Sequence, residues 1–107
     1  MDADARTDGV RYWFTAELWR WAARSDEWVF VRLPAEMSAE IAAVPRLRAG
    51  FGAVKVAVTV GRSHWRTSIF PEATDGPYVL PLKRAVRDAE RLDIGDSARI
   101  GIELVER

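Results

Sequence analysis

Apolar and polar side chains alternate along most of the chain, with the period of two that is typical of half-buried β-strands. The first such run starts at Arg11, and one of its faces carries Tyr12, Phe14, Ala16 and Leu18. Further runs of the same kind predict strands over residues 27–33, 54–60, 64–70, 78–80 and 98–104. The pattern therefore predicts a mainly β protein.

Two Leu-Pro pairs mark the expected starts of two short amphipathic helices. Apolar side chains recur at helical spacing after Leu33–Pro34 as far as Val44, and after Leu80–Pro81 as far as Leu92. Proline is tolerated there because the first N–H groups of a helix have no partner within the helix. Pro34 and Pro81 lie 47 positions apart, and each follows a strand and precedes a helix, a glycine turn and another strand. This predicts an internal duplication, although two unrelated strand-helix joints would give the same spacing.

These elements predict a single β-barrel domain with two short helices over residues 11–107. Each half would expose a sheet edge and one apolar face, so the two halves are expected to pair about an approximate two-fold axis. The length of 107 residues fits one domain. Residues 1–10 are polar and lack periodicity, and we predict a disordered arm there.

The composition excludes several classes of protein. The chain has no cysteine, which excludes disulfides, a thiol nucleophile and thiolate metal sites. No apolar run approaches the roughly 20 residues that cross a bilayer as a helix. The first residues are acidic, whereas a signal peptide begins with basic ones. A soluble, cytoplasmic protein without membrane contact is therefore expected.

Several motifs resemble a family of small uncharacterised prokaryotic domains of unknown function. They are RTSIFP at 66–71, DGPYVLPLK at 75–83, AVR at 85–87, Gly95–Asp96, and the opening signature WVFVRLP at 28–34. The resemblance covers about residues 12–105. Some members stand alone, and others are fused to segments like the YdeI/OmdA bacteriocin-protection proteins.

What this resemblance implies is a bacterial double-split β-barrel with no established activity. Such a barrel would agree with the two duplicated halves predicted above. Many relatives read Gly-Thr-Ile-Asn-Gly in the third strand, whereas this chain reads AVTVG at 57–61. Any role of those backbone positions in the relatives is therefore not carried over to this chain.

A shorter stretch is similar to the swapped-hairpin domains of the AbrB/MazE type, which pair two such halves to bind DNA. The similarity covers Leu80–Pro81, Arg87 and residues 92–96, followed by an alternating strand. It implies an alternative function, that of a nucleic-acid-binding regulator or antitoxin-like protein. The nucleic-acid contacts expected for that function are Arg62, Arg66, Lys83 and Arg87.

Side chains suited to catalysis or metal binding are sparse. His64 is the only histidine, and Ser68 would lie roughly 13 Å from it along a strand, too far for a nucleophile and its base. Asp93 and Asp96 flank a glycine but lack the further ligands of a calcium loop. We expect no catalytic residue, no metal and no cofactor, and an enzyme of unknown class is the third hypothesis.

Basic residues provide a better indication of binding. The segment 41–71 contains five basic residues and no acidic one. Lys83, Arg87 and Arg91 recur at a spacing of four and are expected to line one edge of the second helix, where like charges repel unless an anion lies nearby. Glu90 is available to pair with these arginines, and the net charge of zero is unusual for a protein that binds phosphates. A solvated charged face is therefore the alternative.

Tryptophans form the third candidate surface. Trp13, Trp19 and Trp21 share the face of the first strand opposite its core positions. An exposed aromatic patch of this kind marks a partner, a dimer interface or a ligand groove. Burial of the same side chains under helices is an equal alternative.

Taken together, these observations favour a non-catalytic binding module that recognises a protein partner or a small anionic ligand, as a monomer or a homodimer. The residues predicted to bind the ligand or partner are Trp65, Arg66, Ser68, Lys83 and Arg87.

Overall fold

A computed structural model of the chain describes residues 11–20, 28–43, 52–73 and 76–105. These residues form seven strands, β1 (Arg11–Glu17), β2 (Trp19–Arg20), β3 (Val29–Arg32), β4 (Val54–Val60), β5 (Ser63–Pro71), β6 (Tyr78–Pro81) and β7 (Ser97–Leu104). They also form two helices, α1 (Ala35–Ala43) and α2 (Arg84–Glu90). The predicted mainly β fold with two short helices is confirmed. The predicted arm at 1–10 lies outside the described residues.

All seven strands belong to one curled antiparallel sheet, in the order β1-β7-β4-β5-β6-β3-β2. The two edge strands, β1 and β2, are separated in the chain by Leu18 alone. One segment therefore supplies both edges of the sheet: its first part pairs with β7 and its second part pairs with β3. This connection curls the sheet toward a barrel.

The strand pairing confirms the predicted duplication. Strand β5 is divided in the same way as the β1–β2 segment, since residues 63–69 pair with β4 and residues 70–71 pair with β6. The remaining pairs, β3 with β6 and β4 with β7, each join equivalent strands of the two halves. Each half is thus a divided strand, a short strand, a helix and a long strand, as expected for a double-split barrel.

Alternation along the strands places the core inside the curl. In β4, Val54, Val56, Val58 and Val60 are buried, whereas Lys55 is exposed. The same inner face collects large side chains from every long strand and from both halves of the chain. The fully buried core residues include Leu18, Val31, Leu33, Ile41, Ile69, Leu80, Leu82 and Ile100.

Helix α1 contributes one polar group that the apolar pattern did not reveal. Ile41 is buried and Met37 packs partly against the core, as predicted, while Val44 lies outside the described residues. Ser38 is also buried, and its Oγ accepts a 3.0 Å hydrogen bond from the Tyr78 N–H. This bond fixes α1 to the start of β6, because a buried N–H without a partner is costly.

The β4–β5 hairpin closes with a two-residue turn, and Ser63 belongs to β5. Val60 pairs with Ser63, so Gly61 and Arg62 form the turn. Gly61 has a φ of +59°, which glycine adopts without the steric penalty that other residues meet. Neither of the two helices in the described part of the chain has the length and apolar character of a membrane-spanning segment.

We predict that Val56→Asp unfolds the protein, whereas Ala57→Asp does not. Val56 is fully buried, and an unpaired buried charge costs several kcal/mol, which is comparable with the roughly 5–15 kcal/mol that stabilises a typical domain. Ala57 is the next residue and points to the outer face, where water solvates a carboxylate. Circular dichroism during thermal unfolding tests this, and a cooperative transition in Val56→Asp at the wild-type temperature would contradict the core assignment.

Candidate functional site

Consecutive residues of β5 point to opposite faces of the sheet, so the predicted site residues of this strand do not all lie on one face. Trp65 lies opposite Val58 and packs partly buried against the core. Arg66 and Ser68 point to the outer face, with Arg66 exposed and Ser68 half-buried. The structure therefore brings Arg66 and Ser68 together and places Trp65 on the other side of the strand.

On the outer face, the β4–β5 register builds a small cationic hollow. Lys55 lies directly opposite Ser68, and Ala57 lies opposite Arg66. The hollow has a volume of about 320 Å³ and is lined by Lys55, Val56, Arg66, Thr67, Ser68 and Val105. None of these lining residues is acidic. The hollow is hereafter called the cationic hollow.

Within the described residues, no carboxylate neutralises the charges of Lys55 and Arg66 in the cationic hollow. Glu103 lies opposite Ala57, in the same cross-strand row as Arg66, but its carboxylate is paired with Arg11 at 3.5 Å. Among the described residues, no ion pair holds Lys55 or Arg66. The sequence had placed Lys55 in the acid-free segment, but only the strand register sets it beside Ser68 and Arg66.

The predicted basic row along α2 is wrong. The helix comprises only Arg84–Glu90, so Lys83 is its extended N-cap residue. Arg91 follows the helix with a φ of 58°, and a residue in that left-handed conformation does not continue the helical spacing. Arg87 donates from its Nε to the Leu82 carbonyl oxygen at 3.0 Å, so this side chain takes part in closing the turn that leads into α2.

Glu90 bonds to the β4–β5 turn, although the sequence offered the arginines of its own helix as partners. Its Oε2 accepts a 2.7 Å hydrogen bond from the Ser63 Oγ and a 3.2 Å bond from the Arg62 N–H. The four residues predicted to contact nucleic acid therefore occupy three places. Arg66 lies on the sheet, Arg62 lies in this turn beside a carboxylate, and Lys83 and Arg87 lie at α2.

The predicted tryptophan patch is divided, because Trp13 lies in β1 and Trp19 lies in β2. Trp13 is 49% exposed and its ring lies on Gly101, where an added Cβ would be 2.7 Å from the ring. The Arg99 guanidinium lies 5.3 Å from the Trp13 ring centroid. Trp19 belongs to the other half of the sheet, half-buried, with its ring 5.5 Å from that of Phe30. Trp21 lies outside the described residues.

A second and larger opening lies where β1 and β3 diverge. This groove, the β1–β3 groove, has a volume of about 570 Å³. It is lined by Thr15, Ala16, Glu17, Trp19, Arg32, Leu33, Pro34, Ala35 and Pro77. Apart from Trp19, these residues were not assigned to a site from the sequence, although Arg32, Leu33 and Pro34 belong to the WVFVRLP motif.

Arg32 forms a bidentate ion pair with Glu72. Its Nε and Nη2 donate to the two carboxylate oxygens at 2.7 and 2.8 Å. These hydrogen bonds lower the pKa of Glu72 and raise that of Arg32. The Arg32 guanidinium also lies 4.8 Å from the Trp19 ring centroid, so the pair is held over an aromatic surface.

Two further features concern reactivity. The Nδ1 of His64 lies 3.2 Å from the Thr59 Oγ1 on the outer face. Near the start of β1, burial raises the pKa of Tyr12, and the nearby carboxylate of Glu40 in α1 raises it further. In the part of the chain that the structure describes, no three histidine, aspartate or glutamate side chains are grouped as a metal site would require.

The fold and these sites define a small, mainly β domain built from two similar halves, with a cationic hollow on one face and a groove at one edge. The chain belongs to a family of domains of unknown function, DUF1905, whose model matches residues 14–102. This confirms the resemblance drawn from the motifs. A comparison with curated proteins gives no match.

We predict that Glu72→Gln destabilises the protein at neutral pH but not in acid. Because the folded-state pKa of Glu72 is lowered, the pair stabilises the fold above the unfolded-state pKa of about 4.3. That stabilisation is lost as the pH falls through the lower, folded-state pKa. Both side chains are partly exposed, so the expected loss at pH 7 is at most about 1 kcal/mol.

Urea unfolding of wild type and variant between pH 7 and pH 2 measures this difference. Asp88→Asn is the matched control, since the Arg84–Asp88 pair spans 3.8 Å between highly exposed side chains. A constant difference between wild type and Glu72→Gln across the pH range would contradict the assignment.

Proposed function

We propose that this protein is a non-catalytic binding module and that the cationic hollow between β4 and β5 holds a small anionic ligand. The observation that carries the proposal is the cross-strand placement of Lys55 beside Ser68 and diagonal to Arg66, without an acidic side chain in the lining. The volume of about 320 Å³ lies at the lower end of the range for small-molecule sites, about 300–1,000 Å³, so the hollow is large enough for a small anion.

Electrostatics supports this occupant. Like charges on neighbouring strands destabilise a sheet, and an anion between Lys55 and Arg66 would relieve their repulsion. The arginine guanidinium is planar and binds two oxygens of a carboxylate or phosphate together, while the lysine ammonium acts as a point charge. Ala57, directly opposite Arg66, is small and leaves room for the anion beside the guanidinium.

The chemistry of the lining favours binding over catalysis. Ser68 offers a hydroxyl, but none of the described residues that line the hollow carries an imidazole or carboxylate that would act as its base. The absence of cysteine fits a reducing compartment, and we propose that the module acts in the cytoplasm.

We predict that Arg66→Ala and Lys55→Ala each weaken anion binding at least tenfold, which is about 1.4 kcal/mol. The probes are sulfate, inorganic phosphate and citrate, compared at constant ionic strength set with sodium chloride. Thermal shift gives a first measurement, because a ligand at 100 times its Kd stabilises the folded state by about 2.7 kcal/mol, and titration calorimetry gives the affinity.

Arg62→Ala is the matched control for this experiment. It removes the same charge from the β4–β5 turn, outside the lining of the hollow, and is expected to leave anion binding unchanged. Equal losses in Arg62→Ala and Arg66→Ala, or no anion binding by wild type, would refute the proposal.

A binding assay with duplex DNA distinguishes the nucleic-acid hypothesis from the anion-binding hypothesis. Fluorescence anisotropy of labelled duplex DNA is measured at low and moderate salt. Tight binding that falls steeply with salt and depends on Arg62, Lys83 and Arg87 would replace the anion-binding module with a nucleic-acid-binding regulator.

A further inference from the structure

The outer face of four neighbouring strands, β1, β7, β4 and β5, carries Trp13 at one side and the cationic hollow at the other. The strand register sets Trp13 opposite Gly101, and Gly101 opposite Thr59. Thr59 and Lys55 are four residues apart in β4, which is about 13 Å along a strand. Trp13 and the hollow therefore share one surface, at a separation larger than a small anion.

The indole ring of Trp13 lies flat on this surface. A Cβ added to Gly101 would be 2.7, 2.7 and 2.9 Å from three consecutive ring atoms, Cη2, Cζ2 and Cε2. Such similar distances place the added atom above the ring plane, because a position at the ring edge would be much closer to one atom than to its neighbours. One face of the ring thus lies on Gly101, and the side chain is still 49% exposed.

Arg99 places a positive charge beside the exposed ring. Its guanidinium lies 5.3 Å from the centroid of the Trp13 ring, and its side chain is exposed. No ion pair within the described residues engages Arg99. Because guanidinium groups form strong hydrogen bonds with phosphate oxygens, this charge attracts a phosphate to the neighbourhood of the ring.

The carboxylates on the same four strands do not oppose an anion that crosses this surface. Glu103 is paired with Arg11 at 3.5 Å. Glu17 lies four residues beyond Trp13 in β1, on the side away from the hollow. An anionic chain that runs from Trp13 to the hollow therefore meets Arg99 first and the two cations of the hollow next.

We propose that the anion held in the cationic hollow is a phosphate of a single-stranded nucleic acid, and that a base of the same strand stacks on Trp13. Proteins that bind single strands combine cations for the phosphates with aromatic rings for the bases, and this outer face offers both. In a duplex the bases stack on each other and do not reach an aromatic side chain. A free nucleotide does not extend from the ring to the hollow. This inference rests on the proposed function of the hollow.

Oligothymidylate of ten nucleotides is the probe, because it does not pair with itself. A fluorescent label reports its binding by anisotropy at low salt. An abasic strand of the same length keeps the phosphates and lacks the bases, and a duplex of the same length keeps the bases inside its stack. Because stacking stabilises each bound base, oligothymidylate is expected to bind at least about tenfold more tightly than either, and thymidine monophosphate should compete with it only weakly.

Trp13→Ala is the decisive variant, and Trp28→Ala is its matched control. Both remove an exposed tryptophan, but Trp28, which is 41% exposed, directly precedes β3 in the other part of the sheet. Trp13→Ala should weaken oligothymidylate at least about tenfold and leave binding of the abasic strand and of inorganic phosphate unchanged. Trp28→Ala should match wild type with all probes, and Arg66→Ala should weaken oligothymidylate and phosphate alike. Circular dichroism shows whether each variant is folded.

The NMR resonance of the Trp13 indole N–H tests the contact in the wild-type protein, and Trp13→Phe identifies this resonance in the spectrum. It should shift when oligothymidylate is added and stay in place when the abasic strand is added. This measurement and the comparison of probes both remain decisive if Trp13→Ala fails to fold.

Four outcomes would overturn this inference: equal binding of oligothymidylate and the abasic strand, equal binding of oligothymidylate and thymidine monophosphate, wild-type affinity in folded Trp13→Ala, or no shift of the Trp13 indole resonance. If inorganic phosphate still bound in a manner that depends on Arg66, the proposed function of the hollow would stand without it. Failure of wild type to bind inorganic phosphate would refute both.

Discussion

The change of partner at Leu18 is the constraint on which the rest of the structure depends. Its side chain is fully buried, its N–H donates to the Asp96 carbonyl and its own carbonyl accepts from the Gly95 N–H, both at 2.9 Å. These contacts hold the end of β1 against β7 while the next residue pairs with β3. The two edges of the sheet are thereby joined through one peptide segment, and the sheet must curl around its apolar face.

The two candidate sites differ because the divided strand is interrupted in one half of the chain and continuous in the other. Strand β5 passes from β4 to β6 without an interruption, since Ile69 and Phe70 are consecutive in the two ladders. Its outer face is therefore continuous and carries the cationic hollow. The first segment instead loses its pairing with β3 before Trp19, and the β1–β3 groove opens there. A duplicated architecture thus yields two chemically different surfaces.

Several polar contacts serve the architecture and not a ligand. Glu90 attaches α2 to the β4–β5 turn, Ser38 attaches α1 to β6, and Arg87 bonds to the Leu82 carbonyl. Each satisfies a backbone or hydroxyl group where a helix meets the sheet, and unsatisfied groups in such places are costly. These contacts hold both helices against the sheet.

The sequence alone determined the periodicity, the Leu-Pro joints, the duplication and the inner positions of the strands, because these depend on local spacing and on the burial of apolar side chains. It also singled out Arg66 and Ser68. It misplaced Lys83, Arg87 and Arg91 as one helical row, because the helix ends at Glu90, before Arg91. The Gly61–Arg62 turn sets Lys55 opposite Ser68 within one hairpin, because the register of a hairpin follows from its turn and from the alternating pattern. Only the tertiary structure paired Arg32 with Glu72 across 40 positions of sequence and opened the groove beside Thr15. The choice of partner strand between distant segments depends on contacts that no local pattern encodes.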